Sequence, residues 1–394
     1  MKDEYVNKKD LEGLIAEVAR NRMSRRQFME RALAMGLSIG AVGTVLAACG
    51  EEGGGASPSP SAPSYPATKP AAITVYNWAN YLDPTAKKNF ERETGIKIKE
   101  AYFESSELLL SKLKAGVRGF DVIVPGDYMV HIMMKTGLLL PLDMTLIPNF
   151  KNCNPAFVDP VYDKKSENGG LKYSVPYQWG TTGIGVRTDK VKEEVTGWET
   201  MWDTKYKGQI NMDSEPTELF AAALKLLGYS LNSRSKTEID EATQKLIEQK
   251  PLVSAYDANN MKRFMVQGVP LVQAWNGDAL LAMRAIGADK VAFVLPSQGY
   301  SVWTDCLSIP VGAPSPYAAH QYMNFFFDPQ NAANLVDYTW YLSPVPAAYD
   351  LLGQDSLLAK NVPTVNELAR GEQKTDLGEI ESYYREKYRL ILAS

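Results

Sequence analysis

The chain has 394 residues, of which 22% are charged and 45% hydrophobic, and its formal net charge is −4. These values are typical of a soluble globular protein large enough for two domains, and they provide no basic field that would attract nucleic acid. Histidine occurs only at His131 and His320, and cysteine only at Cys49, Cys153 and Cys306. We therefore expect no His/Cys metal site, no histidine-based catalytic triad and no cofactor.

Residues 1–48 have the pattern of an export signal. A twin arginine lies in 24–29 (SRRQFM), an apolar Gly/Ala-rich run follows, and 46–49 reads LAAC. The twin arginine is typical of a Tat signal, and LAAC resembles a lipobox, which predicts lipid on Cys49 and a membrane-anchored mature protein. A short transmembrane anchor is the alternative, although the run is shorter than the ~20 residues that span a bilayer. Both interpretations place the body of the protein outside the cytoplasmic membrane.

Residues 49–70 are rich in glycine, serine, proline and alanine and have no apolar periodicity. This composition is typical of a tether, flexible at its glycine end and semi-extended at its proline end. Beyond it, Cys153 and Cys306 are the only cysteines of the body. A disulfide between them suits an extracytoplasmic compartment, but the sequence does not decide it.

Strands and helices alternate in the first part of the body. We predict strands over 73–77, 96–103 and 121–125, a helix that begins at Asp83-Pro84 and ends at Gly95, and helices over 105–115 and 128–136. This alternation predicts a parallel α/β sheet. Since ligands of such sheets lie beyond the carboxyl ends of the strands, Trp78, Tyr81 and Tyr128 are expected near the mouth of a cleft.

The second part of the body contains a long extended aromatic segment, 173–185, which we interpret as a crossing between domains. A short strand over 209–212 leads to Asp213 and a helix with Glu215 and Glu218 in its first turn. Acids favour helix N-termini, so capping alone remains an open interpretation of these two. A strand over 271–275 places Trp275 at its carboxyl end. We also predict a strand over 291–295 and helices over 236–249, 279–286, 316–327, 329–339 and 378–392.

Residues 301–310 (SVWTDCLSIP) place a carboxylate two residues after an indole in a predicted strand. Positions i and i+2 of a strand share one face, so Trp303 and Asp305 are expected to point the same way. An aromatic ring and a carboxylate together bind an organic ammonium through cation–π attraction and a charge-assisted hydrogen bond. The alternative is a core tryptophan beside a turn aspartate.

An ordered set of motifs resembles the substrate-binding lipoproteins of polyamine (spermidine/putrescine) ABC transporters over nearly all of residues 72–392. The motifs are 76–81 (YNWANY), 93–96 (ETGI), 120–125 (FDVIVP), 176–180 (PYQWG), 206–208 (YKG), 275–277 (WNG) and 303–305 (WTD). One such fragment would be weak evidence, whereas the whole set in this order and spacing is specific.

The resemblance implies a two-lobed α/β fold of the periplasmic-binding-protein-like II type. Each lobe would be a mixed sheet flanked by helices, with two inter-lobe crossovers. Lobe 1 would comprise 71–178 plus 306–350, and lobe 2 would comprise 179–305 plus 351–394. The implied function is that of a monomeric extracytoplasmic component of an ABC importer. It would capture a polyamine of the putrescine/spermidine class and deliver it to the membrane permease, without enzymatic activity.

The resemblance also implies roles for individual residues. Asp305 would bind a terminal ammonium, Glu218 an amine along the chain, and Glu215 a further one, with Asp213 as a possible substitute for Glu215. Asp257, or a neighbour of it, would make a polar contact. The aromatic box around the methylenes would comprise Trp78, Tyr81, Tyr128, Trp275, Trp303 and Tyr341.

Three positions depart from the family pattern and leave the choice of ligand open. Ala79 stands where Thr or Ser is frequent, Gly126 where Ser is frequent, and Lys374 or Gln373 where Gln is expected. A lysine there is expected to repel a cation. Another cationic or amine-bearing solute, or a receptor that only senses, is therefore an alternative function. A less favoured one is an extracellular hydrolase that uses the paired carboxylates Glu215 and Glu218.

Overall fold

The computed structural model describes residues 63–258, 261–353 and 355–394. The predicted export signal, Cys49 and residues 49–62 of the predicted tether lie outside the described residues. Within the described ranges, no helix combines the length and the apolar character needed to cross a bilayer.

Ten strands and thirteen α-helices are assigned within the described ranges. The strands are β1 (Ala72–Asn77), β2 (Lys97–Tyr102), β3 (Val122–Ile123), β4 (Ser174–Arg187), β5 (Ile210–Met212), β6 (Val253–Tyr256), β7 (Leu271–Trp275), β8 (Val291–Val294), β9 (Tyr300–Ser308) and β10 (Gly371–Gln373). The helices are α1 (Pro84–Thr94), α2 (Ser106–Lys114), α3 (Asp127–Lys135), α4 (Pro216–Leu226), α5 (Lys236–Gln249), α6 (Met261–Gln267), α7 (Asn276–Ile286), α8 (Pro316–Phe326), α9 (Pro329–Thr339), α10 (Ala347–Leu351), α11 (Leu357–Lys360), α12 (Val365–Leu368) and α13 (Glu381–Ala393).

The strands form a mixed sheet in the order β2-β1-β3-β9-β4-β7-β5-β6, with β10 on β9 and β8 on β4. The β1/β2, β1/β3, β5/β6 and β5/β7 pairs are parallel, as the strand–helix alternation predicts. The long strands β4 and β9 run antiparallel to each other in the middle of the sheet.

The strands β4 and β9 are each shared between two halves of the sheet. Residues 174–181 of β4 pair with β9, whereas residues 182–187 pair with β7 and β8. Along β9, Ser308 pairs with β3, whereas residues 300–302 pair with β10. Each long strand therefore passes from one half to the other, which confirms the two-lobed fold with two crossovers. The residue limits of the lobes stay predictions.

The predicted helix starts have the expected local chemistry. The Asp83 carboxylate accepts hydrogen bonds from the backbone N–H groups of Thr85 and Ala86 at 2.9 Å, with Pro84 at the first helical position of α1. Gly95 ends the helix at φ 70°, a conformation that costs glycine little. These caps fix the directions in which α1 leaves and returns to the sheet.

Several short elements were not predicted. Among them, β10 forms only by pairing with β9, and a Cβ on Gly371 would clash with Val302 of that strand. The predicted strand over 121–125 is reduced to β3, since only Val122 and Ile123 enter the ladder. Cys153 and Cys306 do not form a disulfide, because both are buried and free.

Candidate functional site

Asp305 lies near the middle of β9, where the two halves of the sheet meet. It pairs with Gln178 of β4 on one side and forms a backbone bridge to Gly126 on the other. The Tyr81 hydroxyl donates a hydrogen bond to Asp305 Oδ2 at 2.7 Å. Burial raises the pKa of Asp305 to about 7, although hydrogen bonds from Tyr81 and Trp78 oppose the shift. In the described part of the chain, no lysine or arginine forms an ion pair with this carboxylate.

Four aromatic rings form a continuous wall that ends at Asp305. Trp303 and Asp305 are both partly exposed, while the alternate residues of β9 are buried, so the two share one face as predicted. The Trp303 ring centroid lies 5.2 Å from that of Tyr341 and 6.5 Å from that of Trp275. The Tyr341 and Tyr81 centroids are 5.9 Å apart, and the Tyr81 hydroxyl donates its hydrogen bond to Asp305.

Two glycines make room for this wall. A Cβ on Gly180, opposite Trp303 in the β4/β9 ladder, would clash with the indole. A Cβ on Gly277 would lie 2.6 Å from Tyr341 Cε1. Both glycines lie in motifs of the sequence, and their absent side chains give the rings their positions.

Trp78 and Tyr128 flank Asp305 on its other side. Trp78 follows β1, and its Nε1 donates to the Val124 carbonyl at 3.1 Å. Tyr128 lies at the start of α3, and its hydroxyl donates to Glu107 Oε1 at 3.0 Å. A Cβ on Gly126 would lie 3.7 Å from Tyr128 Cε1 and 3.8 Å from Asp305 Oδ1. Gly126 therefore lies between the tyrosine ring and the carboxylate.

A second carboxylate, Glu218, is buried in the first turn of α4. Its Oε1 accepts a hydrogen bond from Ser301 Oγ at 3.2 Å and lies 2.7 Å from Lys374 Nζ. Its Oε2 has no hydrogen-bond partner among the described residues. Capping alone therefore does not account for Glu218, because its partners belong to β9 and to the segment after β10.

Asp213 and Glu215 lie beside Glu218. Asp213 is fully buried after β5, where its Oδ1 accepts from the Glu215 backbone N–H at 2.8 Å. Burial, assisted by the charge of Glu218, raises the pKa of Asp213 to about 7. Its Oδ2 has no partner within the described ranges. Glu215 is exposed and lines a cleft of about 440 Å³, counted with space open to solvent, together with Glu107, Tyr128 and Lys374.

Lys374 is the positive charge of this cleft that pairs with Glu218. Its Nζ also lies 3.0 Å from Thr217 Oγ1, where it donates a hydrogen bond. Burial lowers the pKa of Lys374, but attraction to Glu218, Glu215 and Asp213 more than offsets this effect, so the pKa lies above its ordinary value. The structure therefore gives this lysine an internal partner, whereas the sequence suggested only repulsion of a ligand.

Residues 85–362 match the family model described as bacterial extracellular solute-binding protein. The chain belongs to this family.

Individual members of the solute-binding family are similar over most of the chain. The sequence is 34% identical over 325 residues to the spermidine/putrescine-binding periplasmic protein of Escherichia coli K12, covering 82% of this chain and 91% of that protein. It is 30% identical over 310 residues to the putrescine-binding periplasmic protein PotF of the same organism, covering 73% and 82%. The spermidine/putrescine ABC transporter substrate-binding protein PotD of Streptococcus pneumoniae has a TM-score of 0.73 and 29% identity, covering 82% of this chain and 99% of that one.

The names of the family and of these relatives describe solute-binding and transport proteins rather than enzymes. They also place the relatives in the periplasm or outside the cell. In the part of the chain that the structure describes, no three His, Cys, Asp or Glu residues are grouped so that they could hold a metal ion.

Sequence reasoning missed one acid that lies beside the candidate residues. Asp127 is buried; its Oδ2 accepts from the Thr304 backbone N–H at 3.2 Å and its Oδ1 from the Tyr128 N–H at 2.8 Å. Burial raises its pKa to about 7, with Lys374 lowering it and Asp305 raising it. Its position between Gly126 and Tyr128 was the available signal, since both neighbours were already candidates.

Asp257 follows β6, and its backbone N–H donates to the Met212 carbonyl at 2.9 Å. The parallel pairing of β5 and β6 therefore places Asp257 and Asp213 at the same edge of the sheet. The ligand-binding roles of all these residues stay predictions; among them, Tyr128 and Glu215 line the cleft of about 440 Å³.

Proposed function

We propose that this protein captures a polyamine of the putrescine/spermidine class outside the cytoplasmic membrane and delivers it to the permease of an ABC importer. The observation that supports this most directly is the Asp305 carboxylate at the end of the aromatic wall. Its side-chain partners are a hydroxyl and an indole rather than a cation. The printed names of the relatives point to the same class of ligand.

An ammonium group supplies what this carboxylate lacks. Asp305 is largely removed from water, and a cationic partner stabilises such a carboxylate, because an unpaired charge in a low-dielectric site costs several kcal/mol. An ammonium beside the rings of Trp303 and Tyr341 gains roughly 2 kcal/mol for each desolvated cation–π contact. The methylenes of a polyamine then pack against the flat aromatic surfaces. An anion would be repelled by this carboxylate, and a carbohydrate brings no positive charge to it.

We propose that binding closes the two lobes by differential affinity. The predicted lobe 1 (71–178 plus 306–350) contributes Tyr128 and Asp305's neighbour Gly126, and the predicted lobe 2 (179–305 plus 351–394) contributes Trp275 and Glu215. A ligand that contacts both lobes favours the closed state, which the permease then recognises. The crossovers β4 and β9 are the elements about which such a hinge motion would occur.

The proposed location follows from the N-terminal sequence. Residues 1–48 would act as a Tat-type lipoprotein signal, Cys49 would carry the lipid, and residues 49–70 would tether a monomeric body to the membrane. The family description supports an extracellular location. Metabolic labelling with a radioactive fatty acid tests the anchor, since a Cys49→Ala variant is expected to lose the label.

Isothermal titration calorimetry with putrescine, spermidine and spermine tests the ligand. We expect at least one dissociation constant of about 1 μM or lower, which corresponds to about 8 kcal/mol of binding free energy. Sodium glutamate, an amine that also carries carboxylates, serves as the control and is expected to give no heat. Absence of heat with all three polyamines would refute the ligand assignment and leave the fold untouched.

A further inference from the structure

The cleft contains an ammonium group of the protein itself. Lys374 Nζ lies 2.7 Å from Glu218 Oε1 and 3.0 Å from Thr217 Oγ1, and the lysine side chain is only 13% exposed. Lys374 also acts electrostatically on Asp127, which is bonded to the backbone of β9 next to Asp305. The lysine charge therefore lies against the Glu218 carboxylate and the start of α4.

The separation of the two carboxylate sites can be estimated along strand β9. Glu218 is bonded to Ser301, and Asp305 lies four residues further along the same strand. At about 3.3 Å per residue, these two positions are roughly 13 Å apart. Ser301, Trp303 and Asp305 are alternate residues of β9, so they lie on one face of the strand.

This distance can be compared with the lengths of extended amines. One residue of an extended polypeptide has three backbone bonds and spans roughly 3.5 Å. An extended chain of single bonds therefore advances about 1.2 Å per bond. The nitrogens of a four-carbon diamine, five bonds apart, are then about 6 Å apart, and the terminal nitrogens of spermidine, nine bonds apart, about 11 Å. A triamine would span most of the way from Asp305 to Glu218, whereas a diamine would stop short of it.

We propose that Lys374 acts as a built-in ammonium that occupies Glu218 and makes the site selective for diamines over triamines and tetraamines. This inference rests on the proposed function of the cleft. A diamine bound with one end at Asp305 leaves the Lys374–Glu218 pair intact. The terminal ammonium of a longer amine would instead meet the Lys374 charge.

Other acids around Lys374 leave this part of the candidate site negatively charged. Asp213 has an unpartnered Oδ2 within the described ranges, and Asp127 and Glu215 lie around the same lysine. One lysine therefore offsets only part of the negative charge. A third ammonium would have to displace Lys374 from Glu218, and a displaced, partly buried lysine would lose its closest counterion.

The test is calorimetric titration of the purified protein and of a Lys374→Gln variant with putrescine, cadaverine, spermidine and spermine. We expect the wild-type protein to bind the diamines about tenfold more tightly than spermidine, because like charges in one site are strongly disfavoured. In Lys374→Gln the Glu218 carboxylate is released, and the ratio of spermidine to putrescine affinity is expected to rise by about tenfold or more.

Two further variants isolate the effect of the charge. Lys374→Arg keeps the charge and is expected to keep the preference for diamines. Lys87→Gln is the control, because the Lys87 side chain is 29% exposed and pairs with Glu100 at 2.6 Å, and neither residue lines the cleft. It is expected to leave the order of affinities unchanged. Thermal unfolding of each variant checks that it is folded.

The possible results separate this inference from the proposed function. A wild-type preference for spermidine, or the same order of affinities in wild type and Lys374→Gln, would overturn the role of Lys374 while polyamine binding stands. No binding of any polyamine to any folded variant would overturn both.

Discussion

The two ends of the candidate site, Asp305 and Glu218, contain the same type of group in opposite electrostatic states. At one end, the Asp305 carboxylate is bonded to the neutral hydroxyl of Tyr81. At the other, the Glu218 carboxylate is paired with Lys374. The first carboxylate has no cationic partner among the described residues, and the second has one supplied by the protein. The number of carboxylates in a site is therefore a poor measure of how many ligand charges it binds.

The sharpest test of this comparison is removal of the unpaired carboxylate. Asp305→Asn removes the charge and keeps the shape, so we expect polyamine affinity to fall about a hundredfold, or roughly 3 kcal/mol. Asp121→Asn is the control, because Asp121 is a buried acid that accepts from the Thr74 and Ser315 N–H groups away from the cleft. Calorimetry that finds Asp305→Asn as tight as wild type would contradict the comparison.

Loss of the Lys374–Glu218 pair is expected to lower the stability of the protein. Glu218→Gln leaves Lys374 without its closest counterion in a largely buried position, so the free energy of unfolding is expected to fall by about 2–3 kcal/mol. Urea denaturation measures it. Glu381→Gln breaks the more exposed pair with Arg385 and is expected to cost less than about 1 kcal/mol. Equal losses in the two variants would count against a structural role for the Lys374–Glu218 pair.

The aromatic wall should affect binding at the Asp305 end. Trp303→Leu removes one cation–π contact worth about 2 kcal/mol, so the dissociation constant is expected to rise about 30-fold. Trp202→Leu is the control, since Trp202 bonds through Nε1 to the Lys245 carbonyl and lies outside the site. Calorimetric titration of each variant measures the dissociation constant. An unchanged affinity in Trp303→Leu would exclude contact of this ring with the ligand ammonium.

The smallest expected effect is that of pH. Burial raises the pKa of Asp305 from 3.8 to about 7, so below that value the ligand-free carboxyl group binds a proton and is neutral. Amines remain charged up to about pH 10. Polyamine affinity is therefore expected to fall about tenfold from pH 8 to pH 6, with one proton released on binding near pH 6.

The same shift has a consequence for the ligand-free protein. Because the folded pKa of Asp305 lies above its unfolded value, its contribution to stability is present at low pH and is lost as pH rises from about 4 to about 7. A bound ammonium is expected to reverse this loss. Calorimetric titration with a polyamine in two buffers of different ionisation enthalpy counts the protons released on binding. A polyamine affinity that does not change between pH 6 and pH 8 would contradict the raised pKa of Asp305.

The sequence by itself determined the features that depend on near neighbours. The spacing of Trp303 and Asp305 placed both on one face of β9, and the caps at Asp83 and Gly95 defined α1. Strand–helix alternation placed Trp78, Tyr81 and Tyr128 at the carboxyl ends of strands. These predictions succeeded because strand and helix periods act over a few residues, within reach of a pattern in the chain.

Only the tertiary structure decided the charge balance of the cleft. The Lys374–Glu218 pair exists because β10 aligns with β9 and brings the following segment against the start of α4. The burial that raises the pKa of Asp127, Asp213 and Asp305 likewise arises from elements distant in the chain. An electrostatic partner is determined by distance in space and by the exclusion of water. Neither quantity is encoded in the spacing of residues along the sequence.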